Sequence, residues 1–248
     1  MSDRGVQDLV IRALADAPFR DSAEWRGRDL ADPDRVERFA RFLARHFYFE
    51  RIVHFFKYSR ALARVTGRYP EAILRRPGFD ALLPTAVLGG RETARAVAGL
   101  VVEYVRDAGR AVRYHIDLLR YQEAMMLVEA GPRAWTSSGT GAAPETVEGT
   151  LLLELDYDLP VVLPKLLQPW TLVPEAPRRA ARLLVARSRH GRVAVARADE
   201  AVASVVQLAD GTKTLDDLAR AAGLRPAELA ATLQDLTEIG AVRFSTGS

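Results

Sequence analysis

The chain has 248 residues, of which 48% are hydrophobic and 27% charged, with a formal net charge of +3 and no cysteine. This composition is that of a folded globular protein, and without cysteine the chain has no disulfide, thiolate zinc site, iron–sulfur cluster or cysteine nucleophile. Because it contains neither a run of 18 apolar residues nor an N-terminal signal core, we expect no membrane contact and predict a cytoplasmic location.

The first half of the sequence carries helical signals from Val6 to Ala130. Asp32-Pro33 is typical of a helix start, with an N-cap and a proline in the first turn. Thr66-Gly67 is typical of a helix end. Residues 92–107 have one apolar stripe at helical spacing. We therefore predict an all-α domain over residues 1–130.

Basic and aromatic side chains are concentrated in residues 35–76. This segment holds eleven basic residues against three acidic ones, a local charge of +8, and eight of the chain's nineteen aromatic residues lie within the twenty residues 39–58. Helical spacing predicts two buried stripes in this segment. They consist of Phe39, Phe42, Leu43 and His46, and of Phe49, Ile52, Val53 and Phe56.

Other aromatic and basic residues of the same segment lie partly off those stripes. Arginine and aromatic side chains outside a core are typical of protein–protein hot spots. The predicted partner interface consists of Arg45, Phe47, Tyr48, Arg51, Phe55, Lys57 and Tyr58. Two alternatives remain open at this point: a helix buried on several sides by its neighbours, and a surface that binds nucleic acid.

Residues 131–149 are rich in Gly, Pro, Ser and Thr and are predicted to be a linker. Strand signals follow in residues 150–158 and in a hairpin around His190-Gly191. Five prolines between these strands are expected to break the connection into short pieces.

Three helices and a short strand are predicted to close the chain, over 200–208, 214–222, 226–239 and 241–245. Short helices with Gly223 in the turn before the last one, together with a hairpin, predict a winged helix-turn-helix domain over 150–248. The expected fold class is therefore α+β. The last helix carries Glu228, Asp235 and Glu238 and no basic residue, so binding of DNA phosphates by this helix is not expected.

Two parts of the sequence resemble known families. The run VVQLADGTKTLDDLARAAGLRPAELAATLQDLTEIGAVRF resembles the recognition-element domains that bind leader peptides of ribosomally made, post-translationally modified peptides. The segments FYFERIVHFFKYSRALARVTGRYPEAILRRPGFDALLP and YHIDLLRYQEAMMLVEAG resemble the helical half of partner proteins of multinuclear non-heme iron oxidases (the DUF692 family), as in methanobactin and 3-thiaglutamate pathways.

The resemblance implies a two-protein enzyme, in which the oxidase holds the iron and this chain binds the precursor peptide's leader. Residues 1–130 would then dock the oxidase, and the chain itself would have no catalytic residue, metal or cofactor. Its four histidines agree with this expectation, because His46, His54, His115 and His190 form no H-x-x-x-H or H-x-x-E pattern. A transcription regulator that uses the basic, aromatic segment on nucleic acid, and a stand-alone enzyme, are the alternatives.

The resemblance also locates the leader peptide beside the strand from Arg192 to Ala198, which is the sheet edge in that fold. A peptide can add there as a further strand. The implied peptide-binding residues are Arg192, Val193, Val195 and Arg197 on the strand, and Leu229, Thr232, Leu233 and Leu236 on the last helix. The three leucines also fit a plain core stripe.

Overall fold

The computed structural model describes residues 3–27, 32–109, 112–131, 143–188 and 190–244. These residues form helices and two small antiparallel sheets, which confirms the α+β class. The chain divides into two compact units. The helical unit comprises residues 1–126 and 166–173, and the mixed unit comprises residues 127–165 and 174–248.

Among the described residues, eight helices begin in the helical unit, and the last three residues of the eighth belong to the mixed unit. They are α1 Asp3–Ala15, α2 Ala17–Asp21, α3 Ala23–Arg26, α4 Pro33–Phe55, α5 Lys57–Thr66, α6 Pro77–Leu82, α7 Arg91–Arg106 and α8 His115–Glu129. Three short 3₁₀ helices join them, at Pro70–Arg75, Leu83–Thr85 and Asp107–Gly109.

The predicted start and end of the aromatic segment are confirmed. The Asp32 side chain accepts hydrogen bonds from the N–H groups of Asp34 and Arg35, and Gly67 has the left-handed φ of 68° that ends α5. Between them the helix breaks at Phe56, so that α4 and α5 are separate. Gln122 of α8 stabilises the break, because its Oε1 accepts from the Tyr58 and Ser59 N–H groups at 3.1 Å each.

Helix α4 buries a different face from the one that the sequence predicts. Its buried residues repeat at intervals of three or four and are Ala40, Ala44, Tyr48, Ile52 and Phe55. Phe39, Phe42 and Phe49, expected in the core, are instead exposed. The predicted first stripe is therefore wrong, and of the second stripe Ile52 and Phe56 are buried.

The mixed unit contains five strands and four helices among its described residues. They are β1 Pro144–Thr146, β2 Leu151–Leu155, α9 Leu159–Leu166, β3 Ala181–Arg187, β4 Val193–Arg197, α10 Glu200–Leu208, α11 Leu215–Ala222, α12 Pro226–Ile239 and β5 Val242–Phe244. Strands β2, β3 and β4 form one antiparallel sheet in chain order, and β1 pairs with β5 in a second sheet. Leu166 itself belongs to the helical unit.

The predicted linker over 131–149 is wrong at β1. Residues 132–142 lie outside the described residues, but β1 pairs antiparallel with β5, Glu145 opposite Arg243. The guanidinium of Arg243 donates to Glu145 at 2.9 Å, and the Thr146 hydroxyl donates to the Val206 carbonyl at 2.6 Å. Long-range hydrogen bonds therefore hold a short strand in a segment that lacks an apolar period.

Helix α9 corrects the prediction that prolines break up the connection between β2 and β3. Pro160 lies in its first turn, where a missing N–H costs nothing, and Pro164 lies within the helix. Four residues at helical spacing are buried, namely Leu159, Val162, Leu163 and Leu166. Burial of this apolar stripe outweighs the low helix propensity of proline.

The last three helices begin and end where the sequence predicts. Asp199 and Thr214 cap the first turns of α10 and α11, and Gly223 and Gly240, at φ values of 68° and 83°, end α11 and α12. Their apolar faces share a core with the sheet. That core contains Leu184 and Ala186 of β3, Leu218 of α11, and Leu229, Leu233 and Leu236 of α12.

A buried carboxylate links the segment before α9 to the end of β4. The Asp158 side chain is fully buried and accepts hydrogen bonds from the guanidinium groups of Arg179 and Arg197. Burial by itself raises the pKa of Asp158, but the hydrogen bonds and charges of the two arginines outweigh it and hold the pKa below its ordinary value. The backbone N–H of Asp158 donates to the Pro177 carbonyl at 3.0 Å.

We expect Asp158→Asn to lower the free energy of unfolding at pH 7 by about 1–3 kcal/mol, because two charge-assisted hydrogen bonds are weakened. A carboxylate with a depressed folded-state pKa stabilises the protein above its unfolded pKa of about 3.9, and that contribution disappears as the pH falls through the folded value. Urea denaturation at pH 7 and pH 3 measures both effects, so the difference between wild type and variant should shrink at pH 3.

The matched control is Asp235→Asn, which changes an exposed carboxylate on α12 and should alter the unfolding free energy by less than about 0.5 kcal/mol. Equal stability of wild type and Asp158→Asn at pH 7 would contradict a structural role for this pair of hydrogen bonds.

Candidate functional site

The backbone of β4 has an open edge. Strand β4 pairs with β3, and within the described residues no other strand pairs with it. The N–H of Ala198 donates to Arg182 and that of Ser188 to Arg192, at 2.9 and 2.8 Å. Because bonded pairs alternate in an antiparallel ladder, Ala194 and Ala196 complete the pairing with β3. Val193, Val195 and Arg197 therefore direct their N–H and C=O groups away from β3.

The side chains along this edge differ from one another in exposure. Val195 is 36% exposed, Arg192 is exposed and Val193 is half-buried. Arg197, expected to pair with acidic peptide residues, instead donates to Asp158. Arg192 is therefore the predicted cation that remains available beside the edge.

The predicted residues of α12 lie mainly in the core. Leu229, Leu233 and Leu236 are 2%, 3% and 0% exposed, which confirms the core-stripe alternative for them, and Thr232 is half-buried. Leu229 and Leu233 also reach the floor of a groove of about 580 Å³. None of its described lining residues belongs to β4, so the structure does not bring the strand and this face of α12 into one groove.

The predicted partner interface on α4 and α5 is only partly at the surface. Tyr48 and Phe55 are 1% and 5% exposed, so their assignment to an interface is wrong: the buried stripe of α4 passes through them. The other five members are half-buried. Arg45 donates to the Leu74 carbonyl at 2.7 Å and to Asp80.

The remaining members of that predicted interface form local cation–π pairs. The Arg51 guanidinium carbon lies 3.6 Å from the centroid of the Phe47 ring. The Lys57 ammonium lies 5.2 Å from the centroid of the Tyr58 ring, and burial raises the pKa of Tyr58. The positive charges of Arg51 and Lys57 therefore already interact with aromatic rings of the helical unit.

A different set of aromatic side chains on α4 faces solvent, and the sequence prediction assigned it to the core. We call Phe39, Phe42, His46 and Phe49 the aromatic face. Phe42 is 61% exposed, and its ring lies 6.2 Å from that of Phe39 and 6.5 Å from that of His46, with interplanar angles of 14° and 4°. Such a row of exposed, stacked rings is typical of an interaction surface.

A cavity of about 490 Å³ lies beside the aromatic face. Its lining residues are Phe42, Arg45, His46, Phe49, Leu74, Arg75 and Asp80. Aromatic rings and guanidinium groups therefore border the same concave surface, which is the composition of a hot spot. Ala40, Ala44 and Tyr48 follow one another at intervals of four residues, and this spacing is the sequence signal that would have identified the opposite, buried face.

Metal-binding residues are not clustered in the part of the chain that the structure describes. No group of three or more His, Asp or Glu side chains there has the geometry to hold a metal ion. His115 is buried, and its Nε2 lies 3.3 Å from the Val105 carbonyl oxygen. Burial lowers the pKa of His115. Among the same residues, no helix has the length and apolar character needed to cross a membrane.

Comparison with known proteins finds no family model that matches the sequence and no matching curated protein. The functional interpretation therefore depends on two features of the structure, the open edge of β4 and the aromatic face of α4. The first lies on a three-stranded sheet and the second on a helix of 23 residues.

The two faces of α4 should respond differently to truncation. Tyr48→Ala should lower the unfolding free energy by about 3–5 kcal/mol, because it leaves a cavity in the core. Phe42→Ala should change it by less than about 1 kcal/mol, because the ring is already in water. Denaturation in urea measures both values. A larger loss for Phe42→Ala than for Tyr48→Ala would reverse the assignment of buried and exposed faces.

Proposed function

We propose that this chain is a non-catalytic partner subunit that binds the leader of a ribosomally synthesised precursor peptide and presents it to a multinuclear non-heme iron oxidase. The observation that carries the proposal is the open edge of β4, where the backbone groups of Val193, Val195 and Arg197 point away from β3 and pair with no other strand among the described residues. The resemblance of residues 205–244 to leader-binding domains agrees with it.

The leader peptide adds to β4 as a further antiparallel or parallel strand. Main-chain hydrogen bonds then supply affinity that depends little on sequence, and neighbouring side chains select the peptide. Val195 offers an exposed apolar contact, and Arg192 offers a positive charge for an acidic leader residue. An exposed salt bridge between Arg192 and such an acidic residue contributes about 1 kcal/mol or less to the binding free energy.

The domain that provides this edge is a winged helix-turn-helix in this proposal. A three-stranded antiparallel sheet precedes α10, α11 and α12, and Gly223 lies in the turn between the last two helices. DNA binding is the usual alternative for such a domain. The exposed carboxylates Asp235 and Glu238 on α12 oppose it, and the cation at its start, Arg225, already pairs with Glu228.

The aromatic face of α4 docks the oxidase. Its stacked rings offer apolar area that is already in water, so covering them gains hydrophobic free energy without disturbing the core. Arg75 is exposed, borders the cavity beside it and provides donors for carboxylates of the partner, whereas the Arg45 guanidinium already donates to Leu74 and Asp80. The iron and the redox chemistry belong to the oxidase.

Leader binding should depend on the free edge of β4. Val195→Pro removes an N–H that points away from β3 and places a ring at the edge, so we expect affinity for the precursor peptide encoded beside this gene to fall at least tenfold. Val195→Thr, which keeps both the N–H and the β-branch, is the matched control and should bind nearly as wild type. Fluorescence polarisation measures the affinities, and melting curves confirm folding.

Unchanged affinity in folded Val195→Pro would place the leader away from β4. The absence of both an iron-oxidase gene and a precursor-peptide gene beside this one would contradict the proposed function as a whole.

Docking and iron content are tested together by pull-down with the neighbouring oxidase. Phe42→Ala with Phe49→Ala should weaken the complex by about 2–4 kcal/mol, whereas Ile11→Ala, an equally exposed apolar residue on α1, should not. Metal analysis should find iron in the complex and none at stoichiometric level in the purified chain. Tightly bound iron in the chain alone would contradict a non-catalytic partner.

A further inference from the structure

A groove on the mixed unit has no part in the function proposed above. It lies between α11, α12 and β5 and has a volume of about 580 Å³. We call it the acidic groove. Its lining residues are Leu215, Asp216, Pro226, Leu229, Ala230, Leu233, Gln234, Thr237, Glu238 and Phe244.

The floor of the acidic groove is apolar. Leu229 and Leu233 extend into it from the core, and Leu215, at the first position of α11, is 49% exposed. Phe244 of β5 is half-buried at its margin. The small side chain of Ala230 leaves room between them. A concave floor of leucine and phenylalanine suits an apolar side chain from a ligand.

The charges at its margin are acidic and unneutralised. Asp216 and Glu238 are exposed, and neither carboxylate forms a salt bridge with another residue in the described part of the chain. Every basic residue of 200–244 pairs with a different acid. These pairs are Lys213 with Asp210, Arg220 with Asp217, Arg225 with Glu228, and Arg243 with Glu145.

One polar atom in the groove has no partner within the described part of the chain. The Thr237 hydroxyl oxygen is buried and makes no hydrogen bond there. A threonine inside a helix commonly donates to the carbonyl four residues earlier. The same burial keeps this oxygen out of reach of a ligand in the groove, so a ligand contacts the apolar floor and the acidic margin instead.

We propose that the acidic groove binds a short peptide segment that carries an apolar side chain beside lysine or arginine. The floor binds the apolar side chain, and Asp216 and Glu238 bind the cation. This is a second peptide site, separate from the edge of β4, and it requires a ligand of opposite charge from the acidic leader residues that Arg192 would bind.

The test uses three fluorescein-labelled octapeptides, of alternating Leu-Lys, Leu-Glu and Ser-Lys, titrated against the full chain by fluorescence polarisation. The Leu-Lys peptide should bind at least tenfold more tightly than either of the others, because it alone satisfies both the floor and the margin. Ala230→Trp, which fills the groove from an exposed helix position, should weaken Leu-Lys binding at least tenfold.

A charge-matched pair of double variants separates the groove from general electrostatics. Asp216→Lys with Glu238→Lys should weaken Leu-Lys binding at least tenfold. Glu175→Lys with Asp235→Lys has the same net charge, changes two exposed acids of the mixed unit outside the groove lining, and should have little effect. Equal losses in both double variants would show non-specific attraction and overturn the proposal.

Two further measurements separate this site from the alternatives. Val195→Pro should leave Leu-Lys binding unchanged while it weakens leader binding, whereas loss of both would mean a single site. Sedimentation velocity on the unliganded chain should show no association that depends on Asp216 and Glu238. A dimer abolished by their double substitution would identify a second copy as the occupant, and the partner-peptide proposal would fail.

Discussion

The helical unit depends on which single face of α4 is buried. A helix of 23 residues turns through 100° per residue and can bury only part of its circumference. Ala40 and Ala44 allow neighbouring elements to approach closely, and the large rings of Tyr48 and Phe55 continue the same stripe. Once that stripe faces inward, Phe39, Phe42 and Phe49 must face water. The aromatic face is thus a geometric consequence of the packing.

An analogous constraint acts on the mixed unit, where strand register decides which groups remain free. Ala194 and Ala196 bond to β3, so the intervening residues direct their backbone outward. The charge of buried Asp158 must be compensated, and Arg197 does so at the end of the same strand. Arg197, which the sequence prediction assigned to peptide binding, therefore stabilises the fold instead. The outward backbone groups of β4 can still pair with a further strand.

Local signals were enough to predict several helix boundaries but not the packing. Asp32, Thr214, Gly67 and Gly223 act through hydrogen bonds or dihedral angles within a few residues, so their roles can be recognised in sequence. The buried face of α4 could not be, because a segment with aromatic residues on all sides offers several periodic stripes. Helix α9 forms because its apolar stripe is buried, although prolines disfavour a helix there. Strand β1 forms because it bonds to residues distant in sequence, although its composition is that of a linker.

The acidic groove was also beyond sequence reasoning, since its charge depends on how acids and bases pair in three dimensions. The segment 200–244 has both signs of charge, and only the pairing pattern leaves Asp216 and Glu238 uncompensated. As proposed here, the β4 edge and the groove would recognise peptides by different interactions, main-chain pairing at the edge and side-chain selection in the groove. A peptide with an acidic extended segment and a basic, apolar segment would engage both, and tethering would then raise its affinity by up to about 10²–10⁴ if its spacer matches the span.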